Sequence, residues 1–185
     1  MRSGRTFQCD LESRVCDAHS VSTNEPCRRR CVIGLTKCWS HTRSELHLRI
    51  DDSPHGKGVF AHNPRAAAQD VPVFRGNARR GDVIVPYMGE VITEAQRETR
   101  YATSTAPYLM SPTANRHIDA ACVRGIGSMI NHAPASTANC TYTSAGNVRA
   151  CKPIMHGEEL RANYGATGAR AYRMGDNVHA TRRVR

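Results

Sequence analysis

The sequence predicts a mainly β domain preceded by a small cysteine-rich module, and three observations support this. Short apolar or alternating segments recur between residues 46 and 163, separated by turn residues such as Gly, Pro, Asn and Asp, which is typical of short strands joined by turns. A clear helix-start signal is rare in this region. Five of the eight cysteines fall within the first 38 residues. We therefore expect a Cys/His module at residues 1–43, a β domain at 44–167, and a basic, partly disordered tail at 168–185.

Alternation and turn residues predict the first strands of the β domain. Residues 46–50 alternate apolar and polar side chains, residues 54–58 form a glycine-containing turn, and residues 59–61 resume a strand. A long loop is expected at residues 62–80, with a short strand within it at 71–74.

The strongest strand signal lies in residues 83–92, and we expect a pair of strands there. Thr93 follows with a side-chain oxygen that suits a helix cap, and Glu94 stands in the first turn, so a helix is expected over residues 94–101. Further short strands are expected at 108–110, 117–119, 140–142, 148–151 and 159–163. Many short strands with so little helix indicate a mainly β fold.

Charge and apolar patterning narrow the range of partners and compartments. The formal net charge of +10 favours an acidic partner such as DNA or a nucleosome, and basic clusters stand at residues 28–30, 79–80 and 182–185. The sequence has no apolar run of roughly 18 residues, the length that a membrane helix needs, and no apolar segment follows Met1 as in a secretory signal. We expect a nuclear or cytosolic protein that is neither secreted nor bound to a membrane.

The N-terminal cysteines are expected to be thiols or metal ligands rather than disulfides, because disulfides are rare inside cells. The predicted ligands of a structural zinc ion are Cys16, Cys27, Cys38 and His41. The two residues between Cys38 and His41 let both side chains reach one ion, and two more thiolates complete a closed tetrahedral site. Cys9 and Cys31 remain alternatives, since Cys31 could replace Cys27.

A second interpretation of this module is a nucleic-acid-binding finger, because residues 28–30 are all arginine and Lys37 lies nearby. The ligand spacing differs from that of the fingers that read DNA grooves, and no amphipathic recognition helix follows. The other cysteines, Cys122, Cys140 and Cys151, are expected to be small core residues. A structural clip on the β domain is therefore the favoured role of the module.

The motifs with the most chemical content lie in residues 124–165. Asn131-His132 stands in a small-residue turn, and Glu159-Leu160 is followed by Tyr164-Gly165. This pair of segments resembles the signature of the SET-domain lysine methyltransferases. Earlier segments resemble the same family in the same order, at residues 56–61, 87–90 and 118–120. The resemblance spans about residues 46–165 and implies several short β-sheets with a knot-like C-terminal segment.

The resemblance implies transfer of a methyl group from S-adenosylmethionine to a protein lysine. In that case Tyr164 is the catalytic tyrosine, Tyr87 lines the lysine channel, and Tyr142 limits how many methyl groups are added. The implied cofactor-binding residues are Lys57, Gly58, Phe60, Tyr108, Asn131, His132 and Tyr164. Tyr142 resembles the arrangement in monomethylating members, so monomethylation or dimethylation is expected. A histone tail, bound as an extended strand, is the expected substrate.

Some positions depart from the family pattern. Ala138 replaces a proline after Asn131-His132, and Asn163 replaces the aspartate before the catalytic tyrosine. The family's three-cysteine cluster after the catalytic tyrosine is missing from the sequence, and Tyr172 is the candidate to close the lysine channel in its place. These departures leave an alternative function open, in which a catalytically degenerate module binds nucleic acid or chromatin through its basic zinc arm.

Overall fold

The computed structural model describes residues 9, 11, 13–20, 22–32, 34–77, 79–102, 106–113 and 115–165. Within these ranges the protein is mainly β. The elements in chain order are α1 (Trp39–Leu46), β1 (Leu48–Ser53), β2 (Gly56–Ala61), α2 (Pro64–Ala68), β3 (Val83–Pro86), β4 (Glu90–Ile92), α3 (Glu94–Tyr101), β5 (Leu109–Thr113), β6 (Arg116–Asp119), a 3-10 helix (Ile126–Met129), β7 (Asn131–His132), β8 (Cys140–Tyr142), β9 (Asn147–Ala150) and β10 (Arg161–Ala162). The predicted tail and Tyr172 lie outside the described residues.

The strands form three small sheets in the described part of the chain. β1 and β2 make an antiparallel hairpin, β3-β9-β8-β10-β7 make a mixed sheet, and β4-β6-β5 make an antiparallel one. The strands expected at residues 83–92 both form, but β3 pairs with β9 and β4 pairs with β6. Pro86, which ends β3, has no N–H group for a ladder, so the chain leaves one sheet here and enters another.

The last described strand, β10, brings the segment around Tyr164 beside two earlier strands. β10 lies between β7 and β8 and runs parallel to both. The side chain of Asn139 secures it, because its Nδ2 donates to the carbonyl of Glu159 at 2.9 Å and its Oδ1 accepts from the Arg161 N–H at 2.8 Å. The chain thus passes between two earlier strands, and Tyr164 emerges beside residues 130–132.

Apolar side chains from the hairpin and the five-stranded sheet share one core. Its largest fully buried members are Leu48, Val59, Ile130, Ile154 and Leu160. Burial of each such side chain contributes about 1.5–3 kcal/mol relative to exposure. This core holds β2 against residues 158–160, where the Leu160 N–H donates to the Val59 carbonyl at 2.7 Å.

The helix predicted at residues 94–101 is confirmed, and its start is a capping box. The Thr93 Oγ1 accepts from the Gln96 N–H, and the Gln96 side chain accepts from the Thr93 N–H. The loop expected at 62–80 contains α2, which Asn63 caps. No sequence signal predicts α1. Across the described residues, no helix is long and apolar enough to cross a membrane.

A buried carboxylate joins α3 to the three-stranded sheet. The side chain of Asp119 is fully buried and accepts from the Tyr101 hydroxyl at 2.8 Å and the Arg100 guanidinium at 2.9 Å. Arg100 also pairs with Glu90 at 2.7 Å. A buried charge is tolerated where it is paired and hydrogen-bonded in this way. The network fixes β6 and the turn at Ala120 that follows it.

Candidate active site and metal centre

The N-terminal module is a short antiparallel ladder closed by the first turn of α1. Isolated bridges join Val15 to Arg30 and His19 to Pro26. The ladder places Cys16 and Cys27 on neighbouring segments, and Cys38 precedes α1. The module has a small apolar interior of its own.

The four ligands that the sequence predicts come together. The ligand atoms of Cys16, Cys27, Cys38 and His41 all lie within 4.8 Å of one another. The His41 Nδ1 is 3.4 Å from the Cys16 Sγ and 3.3 Å from the Cys38 Sγ. Three sulfurs and one imidazole nitrogen, partly shielded from water, are a donor set that suits structural zinc. The cluster could therefore bind zinc.

The local electrostatics differ among these thiols. Burial opposes ionisation of Cys38, but the backbone N–H groups of His41 and Ser40 outweigh it and lower its pKa to about 7. Burial raises the pKa of Cys16. Burial also raises the pKa of Cys31 to about 11, and this thiol lies outside the four-ligand cluster. Cys27 thus occupies the position for which Cys31 was the alternative.

The expectation that the cysteines form no disulfide is wrong at one pair. Cys9 and Cys122 are joined by a disulfide across 113 residues. Cys9 is thereby excluded as a metal ligand, and Cys122 is a cross-link rather than a small core residue. Cys140 is buried, as expected, and burial raises its pKa to about 12. Cys151 is half-buried.

The basic residues of the module differ in exposure and in whether they already form ion pairs within the protein. Lys37 is committed to ion pairs with Asp17 at 3.1 Å and Glu45 at 2.8 Å. Arg28 and Arg29 are exposed. Arg30 is exposed too, and donates to the Ser13 carbonyl at 3.1 Å. The arginine run rather than Lys37 is therefore the part of the module that could contact an anion.

A second cluster gathers three of the predicted tyrosines and a histidine in the β domain. The ring centroids of Tyr142 and Tyr164 are 6.2 Å apart, those of Tyr87 and Tyr142 are 5.6 Å apart, and those of His132 and Tyr164 are 5.1 Å apart. Tyr87 and Tyr142 meet edge to face, an arrangement that aromatic quadrupoles favour. Residues that are 77 positions apart in sequence, Tyr87 and Tyr164, thus belong to one continuous wall.

The position of Tyr164 follows from the insertion of β10. Its backbone N–H donates to the His132 Nδ1 at 3.2 Å. Its hydroxyl donates to the backbone carbonyl of Ile130. The hydroxyl is therefore held at the end of β10, next to the strand that carries Asn131 and His132.

Within the wall, Tyr87 is buried and Tyr142 is half-buried. Burial raises the pKa of both hydroxyls, so both stay neutral at physiological pH. The Tyr87 hydroxyl donates to the Tyr108 carbonyl at 2.9 Å. Tyr108 is half-buried, and the Arg124 guanidinium lies 3.7 Å from its ring centroid.

Asn131 links the tyrosine cluster to the glycine hairpin. Its Nδ2 lies 2.8 Å from the Glu159 Oε1 and 3.3 Å from the Lys57 carbonyl oxygen. Phe60 forms a β-bridge with Glu159. Gly58 stands against the same carboxylate, because a Cβ there would be 2.4 Å from the Glu159 Oε1. Only glycine leaves room for this approach.

Of the cofactor-binding residues predicted on β2, Lys57 contacts Asn131 through its backbone carbonyl rather than its side chain. The Lys57 ammonium points to solvent and pairs with Asp52. Phe60 is half-buried under the Arg49 guanidinium, which is 5.2 Å from its ring centroid. The sequence predicts no role for Glu159 or Arg124, because their partners are distant in the chain.

Comparison with known proteins supports the family resemblance that the sequence motifs indicate. A family model described as the SET domain matches residues 74–165. A search of curated proteins found no match. One similar solved structure is the Neurospora SET domain protein DIM-5, a histone lysine methyltransferase, at 22% identity and a TM-score of 0.47, covering 63% of this chain and 51% of that chain. Another is the Chaetomium thermophilum polycomb repressive complex 2, at 24% identity and a TM-score of 0.44, covering 64% of this chain and 15% of that chain. These TM-scores are too low for either likeness to carry an argument about function.

Proposed function

Because this chain belongs to the SET-domain family over residues 74–165, we propose that it transfers a methyl group from S-adenosylmethionine to a lysine side chain of another protein. The observation that carries the proposal is the meeting of Tyr164 with Tyr142 and with His132, the neighbour of Asn131. These residues come from two separate strands, β7 and β8, and from the segment that follows β10, the last described strand. The family's chemistry needs that combination of a tyrosine hydroxyl, an aromatic wall and a polar cofactor site.

The aromatic wall favours a reactive amine. Methyl transfer requires a neutral lysine, whereas a free lysine side chain has a pKa of about 10.4. Between Tyr87, which is buried, and Tyr142, which is half-buried, the charged form of the amine would lose hydration, so its pKa would fall. The Tyr164 hydroxyl, held beside the Ile130 carbonyl, would orient the amine's lone pair. Such positioning can lower a barrier by several kcal/mol.

The groups around Asn131 fit the cofactor. S-adenosylmethionine, when bound, supplies an electrophilic methyl group and carries a positively charged ammonium group. The Glu159 carboxylate and the Lys57 carbonyl, which converge on Asn131, suit a cation of this kind. We assign cofactor binding to the Asn131 side chain, the His132 and Tyr164 segment, Tyr108, and the backbone of Lys57, Gly58 and Phe60.

We propose a structural zinc ion for the N-terminal cluster. Cys16, Cys27, Cys38 and His41 would hold it. The module has little apolar interior, so the ion would contribute much of its folding free energy.

For the substrate we propose an extended histone tail, with monomethylation or dimethylation as the outcome. The chain's net charge of +10 opposes a basic tail by itself, so contact with nucleosomal DNA through the exposed residues 28–30 would help to recruit the enzyme. This implies a nuclear protein. The exposed arginines also favour the second candidate function, a degenerate module that binds nucleic acid without catalysis.

The test is methyl transfer from labelled S-adenosylmethionine to a mixture of core histones and nucleosomes, with the Tyr164→Phe variant alongside. Label on one histone band that is lost in Tyr164→Phe supports the reaction and the role of Tyr164. Thermal melting and cofactor calorimetry of the same variant establish that it is folded and binds.

The remaining outcomes distinguish the alternatives. If histones stay unlabelled while calorimetry detects bound cofactor, the substrate is a different protein. If neither label nor cofactor binding is found, the catalytic proposal is wrong and the nucleic-acid-binding function takes its place. A salt-dependent affinity for DNA would then be the measurement that supports it.

A further inference from the structure

Arg124 touches three separate parts of the protein. Its guanidinium lies 3.7 Å from the centroid of the Tyr108 ring. Its Nε donates to the Ala120 carbonyl at 3.0 Å. Its aliphatic stem lies against the N-terminal module at Gly34, where an added Cβ would be 3.3 Å from the Arg124 Cδ. One half-buried side chain thus bridges the module, the turn after β6 and an aromatic ring.

Tyr108 in turn supports the tyrosine wall. Its backbone carbonyl accepts from the Tyr87 hydroxyl at 2.9 Å and from the Ala120 N–H at 2.9 Å. Tyr87 then meets Tyr142 edge to face. A shift of Tyr108 would therefore move the acceptor that fixes the Tyr87 hydroxyl. The contacts form a continuous path from Gly34 through Arg124 and Tyr108 to Tyr87.

The turn that carries Arg124 is also tied to the N-terminal segment covalently. Cys122 stands two residues before Arg124 and is bonded to Cys9. Two independent contacts, one covalent and one packed, thus join this turn to the cysteine-rich part of the chain. The arrangement makes the turn a connection between the module and the wall.

We propose that Arg124 is a positioning residue, which clamps Tyr108 so that the N-terminal module sets the position of the Tyr87 side of the lysine channel. The existence of a lysine channel rests on the proposed methyltransferase function. Arg124 acts through Tyr108 and Tyr87 and does not take part in the chemical step. The contacts around Asn131 and Glu159 are outside this path, whereas Tyr108 is also assigned to cofactor binding, so the effect of Arg124 on the substrate side is measured at saturating cofactor.

The kinetic test compares Arg124→Ala, Arg124→Lys and wild type at saturating cofactor. Loss of a cation–π contact of this kind is expected to lower kcat/KM for the protein substrate about three- to tenfold in Arg124→Ala. Arg124→Lys keeps the positive charge and is expected to recover most of the loss. The cofactor Kd, measured by calorimetry, is expected to rise by a smaller factor than kcat/KM falls, because Asn131 and Glu159 lie outside the path.

The matched control is Arg43→Ala. Arg43 makes the same type of contact, 5.0 Å from the Trp39 ring centroid, but both residues are exposed and lie on α1. This variant should retain wild-type kcat/KM. An Arg124→Ala enzyme with unchanged kcat/KM would overturn the proposal, and so would an equal loss in Arg124→Lys or a parallel loss of cofactor affinity.

A cycle of thermal unfolding measurements tests the same path without turnover. Wild type, Arg124→Ala, Tyr87→Phe and the double variant are compared. If Arg124 holds the acceptor of the Tyr87 hydroxyl, the double variant loses less Tm than the sum of the single losses. Additive losses would overturn the proposal. Because this result needs no methyl transfer, it stands even if the wild type proves inactive and the proposed function fails.

Discussion

The side-chain amide of Asn131 donates to the Glu159 Oε1 at 2.8 Å, and this bond joins two segments that the sequence separates by 28 residues. Asn131 begins β7, and Glu159 lies just before β10, the strand that inserts between β7 and β8. Glu159 also bridges to Phe60 on β2. The carboxylate therefore fixes the orientation of the Asn131 amide, and the backbone bridge holds Glu159 beside the glycine hairpin. Cofactor binding should depend on Glu159 as well as on Asn131.

We predict that Glu159→Ala weakens S-adenosylmethionine binding roughly 10- to 100-fold, because a hydrogen bond to a charged group contributes about 1.5–3 kcal/mol. Glu159→Gln should lose less, since its amide oxygen can still accept from Asn131. Calorimetric titration with the cofactor measures both. The side chain of the neighbouring Glu158 is exposed, and its carboxylate accepts only from the backbone N–H of Met155 among its described contacts, so Glu158→Ala is the control. Equal affinities for Glu159→Ala and Glu158→Ala would contradict the prediction.

Tyr142→Phe should shift the products toward higher methylation. The Tyr142 hydroxyl is buried, and burial holds its pKa well above the ordinary tyrosine value, so it remains a neutral donor at neutral and mildly alkaline pH. Removing it frees space beside the amine. It also takes away a group that would bind water there. Mass spectrometry of a methylated peptide at several pH values is the measurement, and the shift should be the same at each. An unchanged product distribution would show that Tyr142 does not limit methylation.

Local sequence patterns correctly predicted the helices and strands that local interactions stabilise. The cap at Thr93 predicted α3 correctly, and alternation predicted most strands to within a few residues. α1 was missed because its sequence has few apolar residues; Cys38 and His41 anchor it to the four-residue Cys/His cluster. The partition of β3 and β4 into different sheets depends on partners far along the chain, β9 and β6, which no local pattern contains.

The candidate site divides in the same way, into contacts that local motifs predict and contacts that depend on distant partners. The meeting of Tyr164 with the Asn131-His132 segment and the convergence of the four Cys/His side chains could be predicted, because motif order and ligand spacing are visible in the sequence. The contacts of Glu159 with Asn131 and of Arg124 with Tyr108 could not, because they arise only when distant segments meet. The same applies to the disulfide, whose cysteines are 113 residues apart; spacing alone does not determine connectivity.

The Cys9–Cys122 disulfide leads to a prediction about thiol content. Purified without reductant and then unfolded, the protein should present six reactive thiols, the six free cysteines of the structure. After reduction all eight should react. In the folded, unreduced protein Cys140 should resist alkylation, because burial raises its pKa to about 12. Thiol titration combined with peptide mapping measures this. Eight thiols before reduction would refute the disulfide.

The metal centre can be tested by a pair of cysteine substitutions. Cys27→Ser removes one of four converging ligand atoms, whereas Cys31→Ala removes a buried thiol that lies outside the cluster. We expect wild type and Cys31→Ala to contain one equivalent of zinc by elemental analysis, and Cys27→Ser to contain much less. A chelator should lower the Tm of the first two proteins, because metal binding contributes to folding of the module. If Cys31→Ala loses zinc and Cys27→Ser keeps it, the ligand set is Cys16, Cys31, Cys38 and His41 instead.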